Sequence, residues 1–238
     1  MFFFGGETTM CQICGYEPDP DHAGTIVNGL CQTCHLQQAW RRQIQEVRYW
    51  AQSMLRDERA VLLDTETTGL SERDVVIELA LLSVAEGTPL LNTLIRPDRP
   101  IPWEATLRHG LYDSDMRSAP PFGDVWGELL PILERHQTVI SYSAAYHQTH
   151  LEWTAQLYGY QLPPLEWHCL MTRYAKFFGK IRLGDAQSLY QWQTLNRACK
   201  QQHTDAGRSP RALSQVKRAR RLLVALAEKE GEHWDASR

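Results

Sequence analysis

The stretch LLDTETTGL, Leu62–Leu70, closes an apolar run with two carboxylates two residues apart, Asp64 and Glu66. Paired carboxylates of this kind hold divalent metals, because hard oxygen ligands select hard cations. The bland alternative is a polar pair exposed at a strand end. Two carboxylates do not complete a metal site for phosphate chemistry. The rest of the chain therefore has to supply the missing ligands.

Around this stretch the elements follow in a readable order. Ala60–Asp64 reads as a short apolar strand, and Val75–Val84 (VVIELALLSV) and Pro89–Ile95 (PLLNTLI) as β-rich runs parted by the turn-like Glu86-Gly87. The proline-rich RPDRPIP leads into helical segments at Thr106–Leu111 and Phe122–Arg135. Val139–Ser143 reads as a strand, Tyr146–Tyr158 as a helix, and a further short strand falls near Trp167. Helices follow at Met171–Phe178, Trp192–Gln201 and Pro210–Glu230, the last with Pro210 in its first turn, where the missing N–H costs nothing. Three strands and then alternating strands and helices give an α/β domain with a mixed central sheet. Upstream, residues 36–59 lack proline and glycine. Apolar residues at Leu36, Trp40, Ile44, Val47, Ala51 and Leu55 make them an amphipathic connecting helix. Arg41, Arg42, Arg48 and Arg56 form its other face, read as solvated.

The chain has 238 residues, 43% of them apolar and 10% aromatic, enough for one α/β domain and a small appendage. A formal charge of −3 makes no global invitation to nucleic acid, so such binding has to rest on a local patch. No apolar run reaches the length of about 18 residues that spans a membrane. The start, MFFFGGETTM, lacks the basic flank of a secretion signal, so a cytoplasmic protein is expected.

Four of the six cysteines are arranged in two pairs. Cys11-x-x-Cys14 and Cys31-x-x-Cys34 enclose sixteen residues, a spacing that fits a tetrahedral zinc site. Gly15, directly after Cys14, suits a knuckle that needs positive φ. Disulfides are disfavoured in a reducing compartment, and a redox pair would follow a strand of a βαβ unit. The reading is a structural zinc module over residues 1–35, too small for a core of its own. His22 and His35 are spare ligands, and Cys169 and Cys199 are read as small buried apolar residues. Residues 231–238 form a polar tail.

Taken in order, residues 60–230 resemble the DEDD-type 3′→5′ exonucleases of ribonuclease-H-like fold, and most of all the branch of the DNA polymerase III epsilon subunit. Asp64-Thr-Glu66-Thr-Thr-Gly69-Leu70 resembles the family's first motif without a departure. HGLYDSDMRSAPPFGDVWGELLPIL, WHCLMTRYAKFFGK and YQWQTLNRACK resemble later segments. The resemblance implies in-line attack of water on a terminal phosphodiester, two magnesium or manganese ions about 4 Å apart, four carboxylate ligands and a histidine base. It makes Asp64 and Glu66 metal ligands, and Thr68, Gly69 and Leu70 contacts for the terminal nucleotide.

The remaining positions depart from the pattern. His147 in Ser143-Ala144-Ala145-Tyr146-His147 stands where the second motif has a carboxylate. In Pro210-Arg211-Ala212-Leu213-Ser214-Gln215, proline replaces the base and glutamine the last carboxylate. His147 and Gln215 are then candidate substitute ligands. His203 and Asp205 in the preceding loop are candidate replacements for the lost groups, and His147 with His150 is a candidate pair for a softer metal. Loss of a positioned base alone costs about 10²–10⁴ in rate. The expectation is an exonuclease-family protein acting on DNA or RNA 3′ ends through divalent metal, with weak or lost activity. The alternative is a non-catalytic nucleic-acid-binding protein or protein adaptor on the same fold, with the zinc module as a candidate surface for a protein partner. Arg208, Arg211, Lys217, Arg218, Arg220 and Arg221 near the last helix fit either a phosphate track or a solvated face.

Overall fold

The computed structural model describes residues 10–17, 26–180 and 190–228. His22, the polar tail 231–238 and the end of the expected last helix lie outside them. The chain divides into two compact units at the Glu46/Val47 boundary.

In the first unit Cys11, Cys31 and Cys34 are buried with Ile26 and Leu30 packed against them. Asn28, Gly15 and Gly29 take positive φ, the last with the Gln12 side chain where a Cβ would stand. Helix α1 (Gln32–Arg56) starts inside the second cysteine pair, four residues earlier than residue 36. Cys34 thus sits in its first turn, with its backbone N–H donating to Cys31 Sγ.

The second unit is built on a five-stranded sheet ordered β3-β2-β1-β4-β5. Strands β1 (Ala60–Thr67), β2 (Val76–Ser83) and β3 (Pro89–Leu94) form an antiparallel meander. Strands β4 (Thr138–Ser141) and β5 (Glu166–Cys169) add in parallel on the other side of β1. Strand β1 is therefore central and every residue of it is buried. Burial on both faces is why AVLLDTET is not an alternating pattern.

Each face has its own cover. Val61 and Leu63 point toward a cluster made with Phe122, Val125, Trp126, Leu129 and Leu133 of α3 (Phe122–Arg135) and Leu151 and Ala155 of α4 (Ala144–Leu157). Thr154 clamps α4 to β2, accepting from the Val76 N–H at 3.0 Å and donating to His150 O at 2.7 Å. Leu62, Asp64 and Glu66 share the opposite face, because strand side chains alternate. Helix α7 (Ala212–Glu228) packs against β1 and β2. Helices α2 (Trp103–His109), α5 (Leu170–Phe178) and α6 (Leu195–Gln201) complete the described elements.

Two expectations are corrected here. Helix α6 begins at Leu195, not Trp192, because the Thr194 hydroxyl accepts from the Arg197 N–H and caps it. Pro210 precedes α7 instead of opening it. The first helical bond runs from Gln215 N to Arg211 O, and the orphan N–H of Ala212 donates to Glu78 Oε2 at 3.1 Å.

Phe122 is 1% exposed and stacks on Tyr158 at 5.2 Å, with Trp126 and Tyr160 tilted against it. Phe122→Ala is expected to cost about 3–5 kcal/mol. Urea denaturation measures it, and a loss under about 1 kcal/mol would contradict this account of the core.

Candidate active-site cleft

Asp64 and Glu66 open into a cleft of about 600 Å³, also lined by Tyr142, Tyr146, His147, Trp192, Asn196 and Gln215. A second hollow of about 290 Å³ adjoins it, sharing Glu66, Arg108 and Tyr146 and reaching Gly69 and Leu70. The two form one groove along the end of β1. The tertiary fold thus gathers Asp64, Glu66, His147 and Gln215 in one place.

The electrostatics centre on three buried carboxylates. Asp64 is 6% exposed, Glu66 9% and Glu78 3%. Glu66 and Glu78 lie directly opposite each other across β1 and β2. Burial first, then repulsion from Glu66 and Glu78, raises Asp64 well above the usual carboxylate range. Burial and Glu78 push Glu66 up to about 8, against the opposing pull of Arg108 and Arg211. Glu78 is answered directly. Arg211 reaches it with Nη2 at 2.8 Å from Oε1 and with Nε at 2.9 Å, and the start of α7 adds a backbone donor. Asp64 Oδ2 is buried with no hydrogen-bond partner.

His147 is held by its surroundings. Its Nδ1 accepts from the Thr65 N–H at 3.2 Å, and its Nε2–H faces Tyr142 O at 3.1 Å and Asp64 Oδ1 at 3.4 Å. Burial pulls it down to about 4, so the ring is neutral at ordinary pH. Both nitrogens are therefore engaged with protein atoms in this arrangement. Ser143, at φ 75°, sits at the N-cap of α4 just upstream. Tyr146, on the same turn, donates to Thr67 Oγ1 at 2.7 Å, while Thr67 donates to Gly69 O at 2.6 Å.

Gln215 is likewise committed. Its Oε1 accepts from Arg218 Nη2 at 2.9 Å. Arg218 is 2% exposed, and its five N–H groups go to Ser214 O, Asn196 Oδ1, Ala206 O, Ser209 O and Gln215 Oε1. All five acceptors are neutral. Its charge acts on Asp64 and Glu66 through space, lowering both.

The turn after β1 depends on a residue that the sequence reading passed over. Asp74 accepts from the Thr68 hydroxyl at 3.0 Å and from Ser71 N at 2.8 Å, and its carboxylate lies where a Cβ on Gly69 would stand. The Thr68 N–H donates to Val75 O. Thr68 therefore spends its donors inside the turn, whereas Leu70 stands 61% exposed at the edge of the groove. Glu78, Arg108, Tyr146 and Asn196 were missed as well, and Arg218 was read only as part of the basic cluster. Arg108 and Arg218 carried a readable signal, a charge inside a helical pattern, but not its direction.

Other candidates fall elsewhere. Asp205 pairs with Arg221 at 3.3 Å, and exposed His203 is not among the described residues lining the groove. Most of the basic set near α7 is engaged within the protein. Besides Arg211 and Arg218, Arg220 donates to Val84 O and Ala85 O; only Arg208 and Lys217 are exposed. Arg48 of α1 donates to Ala227 O, so that helix face is partly packed. Cys199 is fully buried, whereas Cys169 is partly exposed.

In the first unit the sulfurs of Cys11, Cys14, Cys31 and Cys34 all lie within 4.8 Å of one another. Cys14 and Cys31 are 3.7 Å apart, close to the edge of about 3.8 Å that a tetrahedron with 2.3 Å arms requires. Hydrogen bonds from the backbone around Cys31 and Cys14 lower the Cys11 thiol to about 6, whereas burial and the neighbouring thiols push Cys34 up to about 12. The cluster is compatible with zinc. It is the only group of three or more metal-capable side chains of this kind among the described residues.

The sequence of residues 61–213 matches the model of an exonuclease family, RNase_T. The chain belongs to this exonuclease family. It is 32% identical over 185 residues to uncharacterized exonuclease CP81 of Escherichia phage 186, covering 75% of this chain and 92% of that one. Among solved structures it resembles Exonuclease X in complex with 5′ overhanging duplex DNA, with a TM-score of 0.53, 22% identity, and 75% and 95% of the two chains covered. The nuclease domain of 3′hExo, a DEDDh family member bound to rAMP, gives a TM-score of 0.55 at 16% identity over 69% and 89%. At these identities the structures establish the exonuclease fold. Among the described residues no helix is long and apolar enough to cross a membrane.

The family uses divalent metal, and the donors present fit it unevenly. Asp64 and Glu66, with an unpartnered buried oxygen, suit one hard cation. Among the described residues, the positions that would serve a second cation are His147 and Gln215. One is bonded to backbone on both sides, and the other is turned to a buried guanidinium. Asp64→Asn in EDTA is expected to raise the melting midpoint by about 2–4 °C, the shift that about 1 kcal/mol gives at this size, by relieving carboxylate repulsion. Excess Mn²⁺ should raise the parent's midpoint and leave the variant's unmoved. A midpoint that falls on substitution, or an equal Mn²⁺ effect on both proteins, would refute the charge argument.

Proposed function

We propose that this exonuclease-family chain takes the 3′ end of DNA or RNA in the groove beside β1 and acts on it through one divalent cation. The observation that carries this is the buried Asp64–Glu66 pair, in which Glu66 repels Asp64 and one Asp64 oxygen is orphaned, an arrangement that suits a cation. Magnesium or manganese bound there supplies Lewis-acid polarisation of a phosphate oxygen. The chain's own residues do the rest. Leu70, exposed at the edge of the groove, is placed to press on the last base, and Trp192, 45% exposed, offers a stacking face at the cleft mouth. Gly69 lets the turn pass close to Asp74 and keeps the second hollow open.

Among the described residues, proton removal from water has no positioned base. Pro210 carries no titratable group, and His147 holds its ring between Thr65 and Tyr142. Hydrolysis is therefore slower than in a complete site by about 10²–10⁴ from this loss alone. A second reading, a protein that holds ends without cutting them, is favoured by the engagement of both His147 nitrogens.

The test is a nuclease assay on 3′-ended single-stranded DNA and RNA with Mg²⁺ and then Mn²⁺. Slow 3′ trimming that vanishes in Asp64→Ala/Glu66→Ala is the expected result. Identical behaviour of the two proteins, with end binding retained, would establish the second reading instead.

The cysteine unit is proposed to hold one zinc ion on Cys11, Cys14, Cys31 and Cys34, as a structural site and a surface for a protein or nucleic-acid partner. Among the described residues its packed apolar set is Ile26 and Leu30 beside the cysteines, which supports folding that depends on the metal. Elemental analysis should find one zinc per chain, lost in Cys34→Ser. Chelation should make the unit protease-sensitive and leave residues 47–228 resistant. A zinc-free protein with an equally resistant N-terminal unit would overturn this.

A further inference from the structure

We propose that the wall formed by Asn196 and Gln215, together with Arg108, is a direct phosphate-binding subsite that holds a nucleic-acid backbone phosphate without metal. The inference rests on the groove being a nucleic-acid site and specifies how this side of it makes contact.

The argument starts from Arg218. A guanidinium has five donors and no acceptor, so any amide group facing it must present its oxygen. Arg218 bonds Asn196 Oδ1 through Nη1 and Gln215 Oε1 through Nη2. Both side chains line the cleft. With their oxygens turned to the buried guanidinium, the atoms left for the cleft are Asn196 Nδ2 and Gln215 Nε2, which only donate. This reverses the polarity of the wall. A carboxylate at position 215 would offer oxygens to a cation; the amide pinned by Arg218 offers N–H groups to an anion.

Two charges reinforce the reversal. Arg218 stands directly behind both amides and makes no hydrogen bond to a carboxylate, so its positive field extends into the cleft. Arg108 lines the cleft and the adjoining hollow, close enough to Glu66 to lower its proton affinity. Amide donors and a guanidinium converging on one groove suit the two non-bridging oxygens of a phosphodiester. The Asp64–Glu66 side remains the cation side. The groove thus has an acceptor wall and a donor wall, and a phosphate between them is gripped from the second without a second ion.

The test uses a 5′-fluorescein-labelled oligothymidylate and anisotropy titrations at fixed salt, in EDTA for the metal-free arm and in Mg²⁺ in excess of EDTA for the other, with zinc stripped from the cysteine unit alike in parent and variants. The parent protein is expected to bind. Gln215→Glu keeps an oxygen for Arg218 and replaces the donor by a carboxylate facing the phosphate. It should bind about tenfold or more weakly. Asn196→Asp, at an exposed position where the fold is not at risk, should weaken binding in the same direction. Added Mg²⁺ should restore binding by Gln215→Glu and leave the parent little changed, because the variant regains a cation ligand. Equal affinity of the parent and both variants in EDTA would overturn the proposal, as would parent binding that appears only with added Mg²⁺ or Mn²⁺. Failure here is separable from failure of the enzymatic reading. Metal-dependent trimming without EDTA binding removes this subsite and leaves the nuclease. EDTA binding weakened in both variants, without trimming, does the reverse.

Discussion

Three buried carboxylates on one face of β1 and β2 are the constraint around which the second unit is arranged. Asp64, Glu66 and Glu78 are each under a tenth exposed, and none carries an oppositely charged neighbour on its own strand. A buried charge must be paired, bonded or neutralised. Glu78 is paired by Arg211 and bonded by the first N–H of α7, which ties that helix to the sheet at its N-terminus. Asp64 is left with the through-space pull of Arg218, Glu66 with that of Arg108, Arg211 and Arg218, and both with the prospect of a bound cation. A helix packed elsewhere would leave all three unanswered.

The same constraint explains the character of α7. Its basic residues look like a patch in the linear sequence, yet most are spent within the protein. Arg211 goes to Glu78, Arg218 to five neutral oxygens, Arg220 to the carbonyls of Val84 and Ala85, and Arg221 to Asp205. Gly87 sits where the Arg220 guanidinium would meet a Cβ, which ties the hairpin between β2 and β3 to the same helix. The phosphate-facing donors are therefore not the obvious cations. They are two amides whose orientation one buried cation fixes.

His147 ties the site together through hydrogen bonds. Its neutral imidazole, bridging Thr65 and the Tyr142 carbonyl, joins β1 to the chain entering α4. In the four-cysteine unit the described packing is mainly of the cysteines themselves, with Ile26 and Leu30 beside them.

The sequence by itself determined the strand that ends in Asp64 and Glu66, the order of strands and helices, the two cysteine pairs and the three departures at His147, Pro210 and Gln215. These are legible because periodicity, ligand spacing and a contiguous motif are local properties of the chain. The tertiary structure alone decided what the departures do. Nothing in residues 210–215 says that the Gln215 oxygen is turned away by Arg218, or that Asn196 joins it from another helix. Nor does YHQTH say that His147 is held at both nitrogens, or the TTGL turn that Asp74 builds it. Such roles depend on which atoms meet across the fold and on how much water is left between them. Hydrogen bonds and buried charges take their direction from that geometry, and a linear pattern does not carry it.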